Sequence, residues 1–526
     1  MRLKRTLLLV LIILVCEALI ALLTSANTSA ALSATSLRES PQTSQAAKTF
    51  DGIRQRIQEA VKNDEAVSMA VAVAVDGKII WEEGFGSADR EQRIRATAHT
   101  RYAIGSISKP FTATGLMILV ERGLVDLNRP ANQYLGGAQI TGYAGSASEA
   151  TVKLILQHRS GLPYTHQFFY EDENYTRPDM DETIRRYGIL VNPPGERYIY
   201  ANIDYGILEH ISARVSGKSY PDFMRAEVFL PLGLTRTSIG PIKNETARLY
   251  TADRTPIPFY DFATRGDGYI YSSAHDVVRF GMFHLKEHLP DQRQILKDST
   301  IDQMVSDNHT TGSVGGLYGT DWFYGLGWGG RERSEYSYHW FGHDGGMPGA
   351  SSDLKIIPSK RIVVVALSNS RQALTSSIVN SIIDVLLPDY AKMRQLDPTV
   401  ISKPPQPPPF TPTQEFLGEW RGEVRTWSGT LPVTMVFQAD GDVHIKVGEQ
   451  FETLLNNIRF EDGVLSGRSF GTLPTEDASR RPHDLRFSLT LRGNALSGTV
   501  TAASTSRRDY FYLPSWVALV KQPLNK

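Results

Sequence analysis

The chain has 526 residues, of which 41% are hydrophobic and 10% aromatic, as is typical of globular proteins. This length exceeds what one hydrophobic core usually serves, so we expect two or more domains. Lys plus Arg and Asp plus Glu both number 56 and no long block of like charge occurs, so the composition gives no indication of a nucleic-acid partner or of a strongly acidic substrate.

The first 30 residues have the layout of a secretory signal: three basic residues precede an apolar stretch at 6–23, and small and polar residues follow it. The stretch is nearly long enough to span a membrane, but Glu17 interrupts it, and a charge inside a span is costly. Residues 1–30 are therefore interpreted as a signal peptide or a membrane anchor, with cleavage favoured. Either interpretation predicts export to the periplasm or the cell exterior.

The only cysteine, Cys16, lies inside this segment, so a cleaved chain would carry neither a disulfide nor a cysteine metal ligand. A lipid anchor on Cys16 is disfavoured because the bulky Val15 precedes it. No H-E-x-x-H or comparable histidine spacing occurs. We therefore expect no catalytic metal and no cofactor.

Residues 31–47 are rich in Ser, Ala and Thr and predict a flexible lead-in. The prolines clustered in SKPPQPPPFTPT are incompatible with a helix interior or a central strand, so 391–412 is interpreted as a stiff linker. These breaks predict one domain at 48–390 and another at 413–526.

Apolar pairs near both ends of the first domain predict β-hairpins, and periodic apolar stretches between them predict helices. This pattern favours an α+β domain whose first and last strands share one antiparallel sheet. The second domain shows short alternating runs with turn signals about every ten residues, which predicts a closed or nearly closed β-barrel of about eight strands. The predicted hairpins join 68–75 to 78–85, through Asp76-Gly77, and 351–357 to 361–367, and predicted helices cover 111–122 and 274–285.

Ser106 and Lys109 form an S-x-x-K pattern, and residues three apart lie on one face of a helix. Since Pro110 is tolerated only near a helix start, the helix should begin near Ser106, with the hydroxyl at its positive end. The lysine could act as a base only if burial lowers its pKa. Ser352 and Lys355 repeat the spacing in a predicted strand, where residues three apart point to opposite faces, so spacing alone is weak evidence.

Two further motifs carry reactive groups. Tyr200 and Asn202 precede a helix expected to begin near Asp204, and a phenol and an amide two residues apart can face one cleft. The alternative interpretation is a buried tyrosine and a helix-capping asparagine. His343 is followed by an aspartate and two glycines before the last hairpin, and such glycines let a ligand approach the backbone. The alternative there is an ordinary surface histidine.

In this order, the three motifs resemble the S-x-x-K, Y-x-N and H-x-G pattern of the serine β-lactamase and penicillin-binding protein superfamily. The likeness covers roughly residues 48–390 and is greatest to the branch of class C β-lactamases, D,D-peptidases and esterases, with further similar phrases such as LQHRSGLP at 156–163. It implies a β-lactamase/transpeptidase-like fold, an antiparallel sheet flanked by helices. Through FLGEWRGEV at 416–424, the barrel is weakly similar to lipocalin-like domains appended to some of these hydrolases.

The resemblance implies that Ser106 attacks a carbonyl carbon and forms an acyl-enzyme. Lys109 and Tyr200 would share the role of general base, and which of them accepts the proton is left open. Asn202 would hold Lys109 and the substrate. The backbone N–H groups of Ser106 and Gly346 would form the oxyanion hole.

Substrate contacts are assigned, on the same resemblance, to Asn202, His343 and Gly345. β-Lactamases usually carry lysine where this chain has His343, and an unperturbed histidine is mostly neutral at pH 7. We therefore expect a small-molecule or peptide substrate, an ester or a D-amino-acid peptide. The alternatives are a true β-lactamase and a non-catalytic penicillin-binding or sensor protein. The barrel is expected to serve as a spacer or stability module, with a contribution to the cleft as the alternative.

Overall fold

The structure is a computed structural model that describes residues 50–310, 322–335, 337–371, 374–397, 410–505 and 510–523. The segments interpreted as signal, lead-in and most of the linker, together with Cys16, lie outside these residues. No helix in the described ranges has the length and apolar character needed to cross a membrane.

The first domain alternates helices with strands. Its helices are α1 (Asp51–Lys62), α2 (Ser108–Glu121), α3 (Asn132–Leu135), α4 (Val152–Leu156), α5 (Met180–Tyr187), α6 (Asn202–Ser216), α7 (Tyr220–Met224), α8 (Ala274–His284), α9 (Asp298–Ser306), α10 (Leu374–Leu386) and α11 (Pro388–Gln395). Its strands are β1 (Ser68–Val75), β2 (Lys78–Asp89), β3 (Ile94–Arg95), β4 (Tyr102–Ala103), β5 (Thr141–Gly142), β6 (Phe168–Tyr170), β7 (Ile189–Leu190), β8 (Ser238–Ile239), β9 (Leu249–Tyr250), β10 (Pro256–Ile257), β11 (Tyr260–Phe262), β12 (Ile270–Ser272), β13 (His309–Thr310), β14 (Trp322–Tyr324), β15 (Gly329–Arg331), β16 (Trp340–Met347), β17 (Ala350–Ile357) and β18 (Ile362–Ser368).

One antiparallel sheet organises this domain, in the order β13-β14-β15-β16-β17-β18-β1-β2-β3. Val75 pairs with Lys78 across the turn at Asp76-Gly77, which confirms the first hairpin. β1 pairs with β18 from Met69 to Val75, which confirms that the first and last predicted hairpins share one sheet. The α+β class is therefore confirmed.

Alternation along β1 determines which helices cover each face of the sheet. Met69, Val71 and Val73 belong to the apolar cluster that includes residues of α1 and α10. The intervening alanines belong to the cluster that includes α2 and α8. Helices thus cover both faces, and α2 is buried from Ser108 to Leu119, as expected for a helix inside the domain core.

The second domain is a nine-stranded antiparallel sheet in the order β22-β21-β20-β19-β27-β26-β25-β24-β23, one strand more than the approximate eight. The two end strands are consecutive in the chain, and the sheet curls into a nearly closed barrel. The strands are β19 (Gly418–Thr426), β20 (Gly429–Phe437), β21 (Val443–Val447), β22 (Thr453–Leu454), β23 (Asn456–Glu461), β24 (Val464–Ser469), β25 (Asp484–Arg492), β26 (Ala495–Thr505) and β27 (Tyr510–Lys521).

The barrel packs directly against the first domain, and contacts join both into one unit, Thr49–Lys526. Trp516 of β27 is buried with Ile189 and Val191 of the first domain. The backbones of His166 and Tyr512 exchange two hydrogen bonds, of 3.0 and 2.8 Å, and so form an antiparallel bridge between the domains. This bridge brings the start of β27 next to the cluster of motif residues described below.

Candidate active site

Ser106 lies at the centre of a polar cluster between the sheet and α2. It occupies a 3₁₀ turn, Gly105–Ile107, that continues into α2, so the helical segment begins where Pro110 predicted. The Ser106 Oγ accepts hydrogen bonds from Lys109 Nζ at 3.1 Å and from the Tyr200 hydroxyl at 2.9 Å. A single oxygen therefore contacts both groups that the sequence proposed as its base.

Asn202 is the first residue of α6 and directly follows the N-cap residue, Ala201. Its Oδ1 accepts from Lys109 Nζ at 2.9 Å, and its Nδ2 lies 3.0 Å from His166 Nδ1. Since an ammonium or amine donates to the oxygen, the amide nitrogen must donate to the imidazole. Burial lowers the pKa of His166 to about 3, which keeps the imidazole neutral and able to accept.

Lys109 is completely buried, and this burial is what changes its chemistry. Desolvation lowers its pKa to about 8, against the opposing pull of Asp267 and, more weakly, Asp344 and Asp204. The Asp267 carboxylate lies 4.0 Å from Nζ, and the Asp267 backbone oxygen accepts from Nζ at 3.0 Å. A pKa near neutrality populates the free amine, which is the form that can take a proton from Ser106.

Tyr200 stays protonated at neutral pH. Burial raises its pKa well above the usual value for a phenol, more than its hydrogen bond to Ser106 lowers it. Lys109 Nζ lies over the Tyr200 ring, 4.6 Å from its centroid. The amine therefore contacts both the Tyr200 ring and the Ser106 Oγ that accepts from the Tyr200 hydroxyl. In this arrangement Tyr200 donates to Ser106, and Lys109 is the group that can accept a proton.

His158 holds the segment that carries Tyr200. Its ring lies 4.4 Å from the Tyr200 ring, and its backbone oxygen and Nδ1 accept from the N–H groups of Ile199 and Ala201. His158 Nδ1 also lies 2.8 Å from an oxygen of the buried Asp204 carboxyl. Burial lowers the pKa of His158 and raises that of Asp204, so a neutral pair is favoured. His158 is therefore a positioning residue for Tyr200.

His343 on β16 lies beside Tyr200, with ring centroids 6.3 Å apart. Its Nδ1 lies 2.7 Å from the Asp344 backbone oxygen and its Nε2 lies 3.2 Å from the Tyr324 hydroxyl. The carbonyl can only accept, so Nδ1 carries the proton and Nε2 accepts from the phenol. Burial lowers the pKa of His343 to about 4, so the ring is neutral at pH 7.

The glycines after His343 bring β16 against the turn that carries Ser106. A Cβ atom on Gly345 would lie 2.2 Å from the Ile104 carbonyl oxygen and 3.0 Å from the Ser106 nitrogen, so only glycine fits. Gly105 has a φ of +51°, and a Cβ there would lie 3.2 Å from the Gly346 nitrogen. A Cβ on Gly346 itself would meet no atom within 4 Å. The backbone nitrogens of Ser106 and Gly346 thus belong to adjacent segments.

The second S-x-x-K pair is separated in space. Ser352 Oγ donates to the Ile104 backbone oxygen at 2.7 Å, whereas Lys355 Nζ donates to Asn380 on α10 at 2.6 Å, on the other face of the sheet. The opposite directions expected for a strand explain why only the Ser106 pair meets.

A cavity of about 450 Å³ opens beside this cluster, lined by residues that include Tyr198, Tyr200, Tyr324 and His343. A larger cleft of about 710 Å³ runs between the domains, and its walls include Tyr164 and Tyr198 from one side and Tyr512 from the other. The barrel therefore forms part of the surroundings of the site, as the alternative interpretation of its role allowed.

A family model described as Beta-lactamase matches residues 53–384, which includes every motif residue above. The chain belongs to the Beta-lactamase family. This membership confirms the resemblance that the three motifs carried, and with it a fold shared by serine hydrolases.

Penicillin-binding proteins are among the proteins that this Beta-lactamase family member resembles in sequence and in structure. Penicillin-binding protein 4 of Amycolatopsis lactamdurans is 28% identical over 366 residues, which cover 65% of this chain and 90% of that protein. The octameric penicillin-binding protein homologue of Pyrococcus abyssi has a TM-score of 0.55 at 21% identity, over 89% of this chain and 99% of that one. The D-amino acid amidase of Ochrobactrum anthropi SV3 has a TM-score of 0.52 at 23% identity, over 66% and 99%.

Sequence reasoning missed four contributors to the site: Asp267, His166, His158 and Tyr324. His158 lies in the phrase LQHRSGLP, which was noted only as a likeness. Asp267 comes immediately before another family-like phrase, GYIYSSAHDVVRFG. Tyr324 begins a further phrase similar to the family, YGLGW at 324–328. His166 carries no local signal, since its role arises only from its contact with Asn202.

Proposed function

We propose that this protein is an exported serine hydrolase that cleaves an ester or amide through an acyl-enzyme on Ser106. The observation that carries the proposal is the Ser106 Oγ held at 3.1 Å by a buried lysine and at 2.9 Å by a buried tyrosine. A serine that merely caps a helix needs neither partner. A nucleophile needs an adjacent base, and the lowered pKa of Lys109, about 8, makes the neutral amine available.

In the proposed reaction, Lys109 takes the Ser106 proton as Oγ attacks the carbonyl carbon, and the Ser106 and Gly346 N–H groups stabilise the oxyanion. The protonated amine then delivers the proton to the leaving group, directly or through the Tyr200 hydroxyl. Water enters in the second half and the same groups act in reverse. Asn202 holds Lys109 within reach of Ser106 throughout.

His343 supports a substrate that does not depend on a cation at this position. The ring is neutral at pH 7 because its pKa is lowered to about 4, and both nitrogens are engaged by Asp344 and Tyr324. A lysine at this point would attract the carboxylate of a β-lactam. The proposed substrates are therefore small acyl esters or D-amino-acid peptides, and β-lactam turnover is expected to be slow.

Export rests on the N-terminal sequence alone: basic residues, the apolar stretch 6–23, and small residues after it. Both a cleaved signal and a retained anchor would place the hydrolase outside the cytoplasm, where D-amino-acid peptides of the cell wall are found.

The assignment is tested by labelling with a fluorophosphonate and mapping the adduct by mass spectrometry. The adduct is expected on Ser106 and should be absent in Ser106→Ala. The control is Ser352→Ala, which removes the serine of the other S-x-x-K pair and should still be labelled at Ser106. An adduct on another serine would refute the assignment. Turnover of p-nitrophenyl esters, a D-alanyl-D-alanine peptide and nitrocefin then separates an esterase or peptidase from a β-lactamase, and no turnover of any of them would indicate a binder.

A further inference from the structure

A second cluster of chemically reactive side chains lies away from Ser106, at the far side of the central sheet. It consists of Glu82 on β2, His99 in the turn before β4, and His275 in the first turn of α8. One ligand atom from each of the three residues lies within 4.8 Å of the others. Three strands, β17, β18 and β1, separate β2 from β16, which carries His343.

The two imidazoles approach opposite oxygens of one carboxylate. His275 Nδ1 lies 2.7 Å from Glu82 Oε2, and His99 Nε2 lies 3.7 Å from Oε1. The centroids of the two rings lie 4.6 Å apart, and the ring planes are tilted by 46°. A simple ion pair needs one histidine, as at His288 with Asp298, so the second imidazole is the informative feature.

Each of the three side chains extends from a hydrogen-bonded segment, and Glu82 pairs with Ala72 between β2 and β1. Thr97 and Thr100 close the turn that carries His99, through hydrogen bonds of 2.9 Å between the Thr97 nitrogen and the Thr100 hydroxyl and of 3.2 Å from the His99 nitrogen to the Thr97 hydroxyl. The His275 nitrogen donates to the Ala98 oxygen at 3.2 Å, which joins that turn to α8. Ligands fixed in this way lose little conformational entropy when an ion binds.

The cluster is open to solvent on one side. The His99 side chain is 52% exposed, and those of Glu82 and His275 are 29% and 27% exposed. Two imidazoles and one carboxylate favour a borderline transition-metal ion, since magnesium and calcium prefer all-oxygen sites.

We propose that Glu82, His99 and His275 bind one divalent transition-metal ion, of the chemistry of zinc, with water completing the coordination. Small side-chain rotations bring the three ligand atoms to the separations of a tetrahedral site. The ion would join β2, the turn at 97–100 and α8, and it would stabilise the segment that leads through β4 to Ser106. It takes no part in the hydrolysis.

Isothermal titration calorimetry with zinc on the tag-free, chelator-stripped full chain tests the proposal. We expect one site in the wild type, and a rise in Tm with zinc that EDTA reverses. His99→Ala and His275→Ala should each weaken binding by on the order of 100-fold, because removing a ligand costs at least as much as removing a partner of a ligand. His288→Ala, which removes the histidine of a two-membered pair, should bind as the wild type does.

Unchanged zinc affinity in His99→Ala or His275→Ala would overturn the proposal and assign the ion elsewhere, for example to the histidines near Ser106. Absence of a single micromolar site in the wild type would also overturn it and leave the cluster as a hydrogen-bonded ion pair. Magnesium at the same concentrations should give no binding heat, and equal binding of magnesium would refute the transition-metal assignment. Failure of Ser106 labelling would leave all these outcomes unaffected.

Discussion

The role of Lys109 as base is tested most directly by removing the charge of its neighbour Asp267. Asp267→Asn keeps the backbone oxygen that accepts from Nζ and leaves an amide oxygen to accept from Thr264, which donates to Asp267 Oδ1 at 2.6 Å. Only the negative charge 4.0 Å from Nζ is lost. An anion stabilises the ammonium form, so its removal lowers the pKa of Lys109.

The distance sets the scale of the effect. Two unit charges 4.0 Å apart interact by about 4 kcal/mol at an effective dielectric constant of about 20, which corresponds to an upper limit of about 3 pKa units. Burial also raises the pKa of Asp267, and Asp344 still stabilises the ammonium in the variant. We therefore expect a shift of at least about 1 unit. With a starting pKa of about 8, that shift raises the neutral fraction at pH 7 about fivefold.

The assay is kcat/KM for a p-nitrophenyl ester across about pH 5 to 10, since this ratio reports the ionisations of the free enzyme. The wild-type rate should rise with pH to a midpoint near 8, and the Asp267→Asn midpoint should fall. Asp276→Asn removes a buried carboxyl that does not contribute to the Lys109 pKa and should leave the midpoint in place. An unchanged or higher midpoint in Asp267→Asn would show that Lys109 deprotonation does not control acylation.

Three other changes separate the remaining roles. Tyr200→Phe removes the hydroxyl that donates to Ser106 and should lower ester kcat/KM by about 10²- to 10⁴-fold without moving the midpoint of its pH profile. Loss of the midpoint near pH 8 would instead identify Tyr200 as the base. His343→Lys should raise kcat/KM for nitrocefin at pH 7 but not for an uncharged ester, and equal effects on both substrates would refute this charge argument. In the wild type, His343 should strengthen carboxylate binding only as the pH falls toward the histidine's pKa of about 4. A chain truncated near Ile401 lacks the backbone bridge between Tyr512 and His166. Its kcat/KM for the ester should fall about 100-fold even if circular dichroism shows that it is folded. Full activity would show that the barrel is only a spacer.

The elements that the sequence predicted well are those with local signals. Asp76-Gly77 produced the hairpin expected of it. The helix predicted over 274–285 is present as α8, and Ser273 caps it by accepting from the Asp276 N–H at 3.1 Å. The side chains of Ser106 and Lys109 contact each other because both residues belong to one helical segment. Their partner residues were found through motif order rather than geometry, since no rule of spacing brings residue 200 next to residue 106.

The elements that escaped prediction depend on contacts between distant segments. Asn202 has the residue type of a helix cap, yet Ala201 occupies the cap position and the Asn202 amide bonds Lys109 and His166 instead. His166 is itself held by the backbone of Tyr512, almost 350 residues later in the chain. Burial determines the pKa values of Lys109 and His343, and burial is a property of the assembled domain. The sequence therefore indicated which groups lie together but not their protonation states.

Those protonation states determine where the proton from Ser106 can go. Burial lowers the pKa of Lys109, His166 and His343, and the charge on Lys109 lowers those of the two histidines further. Asp267 restores part of the basicity of Lys109, which keeps the highest pKa of the three, about 8 against about 3 for His166 and about 4 for His343. A proton taken from Ser106 is therefore expected to stay on Lys109, 3.1 Å from the oxygen that would hold the acyl group in the proposed reaction. The neutral imidazoles cannot compete for it, so the proton remains available to the leaving group.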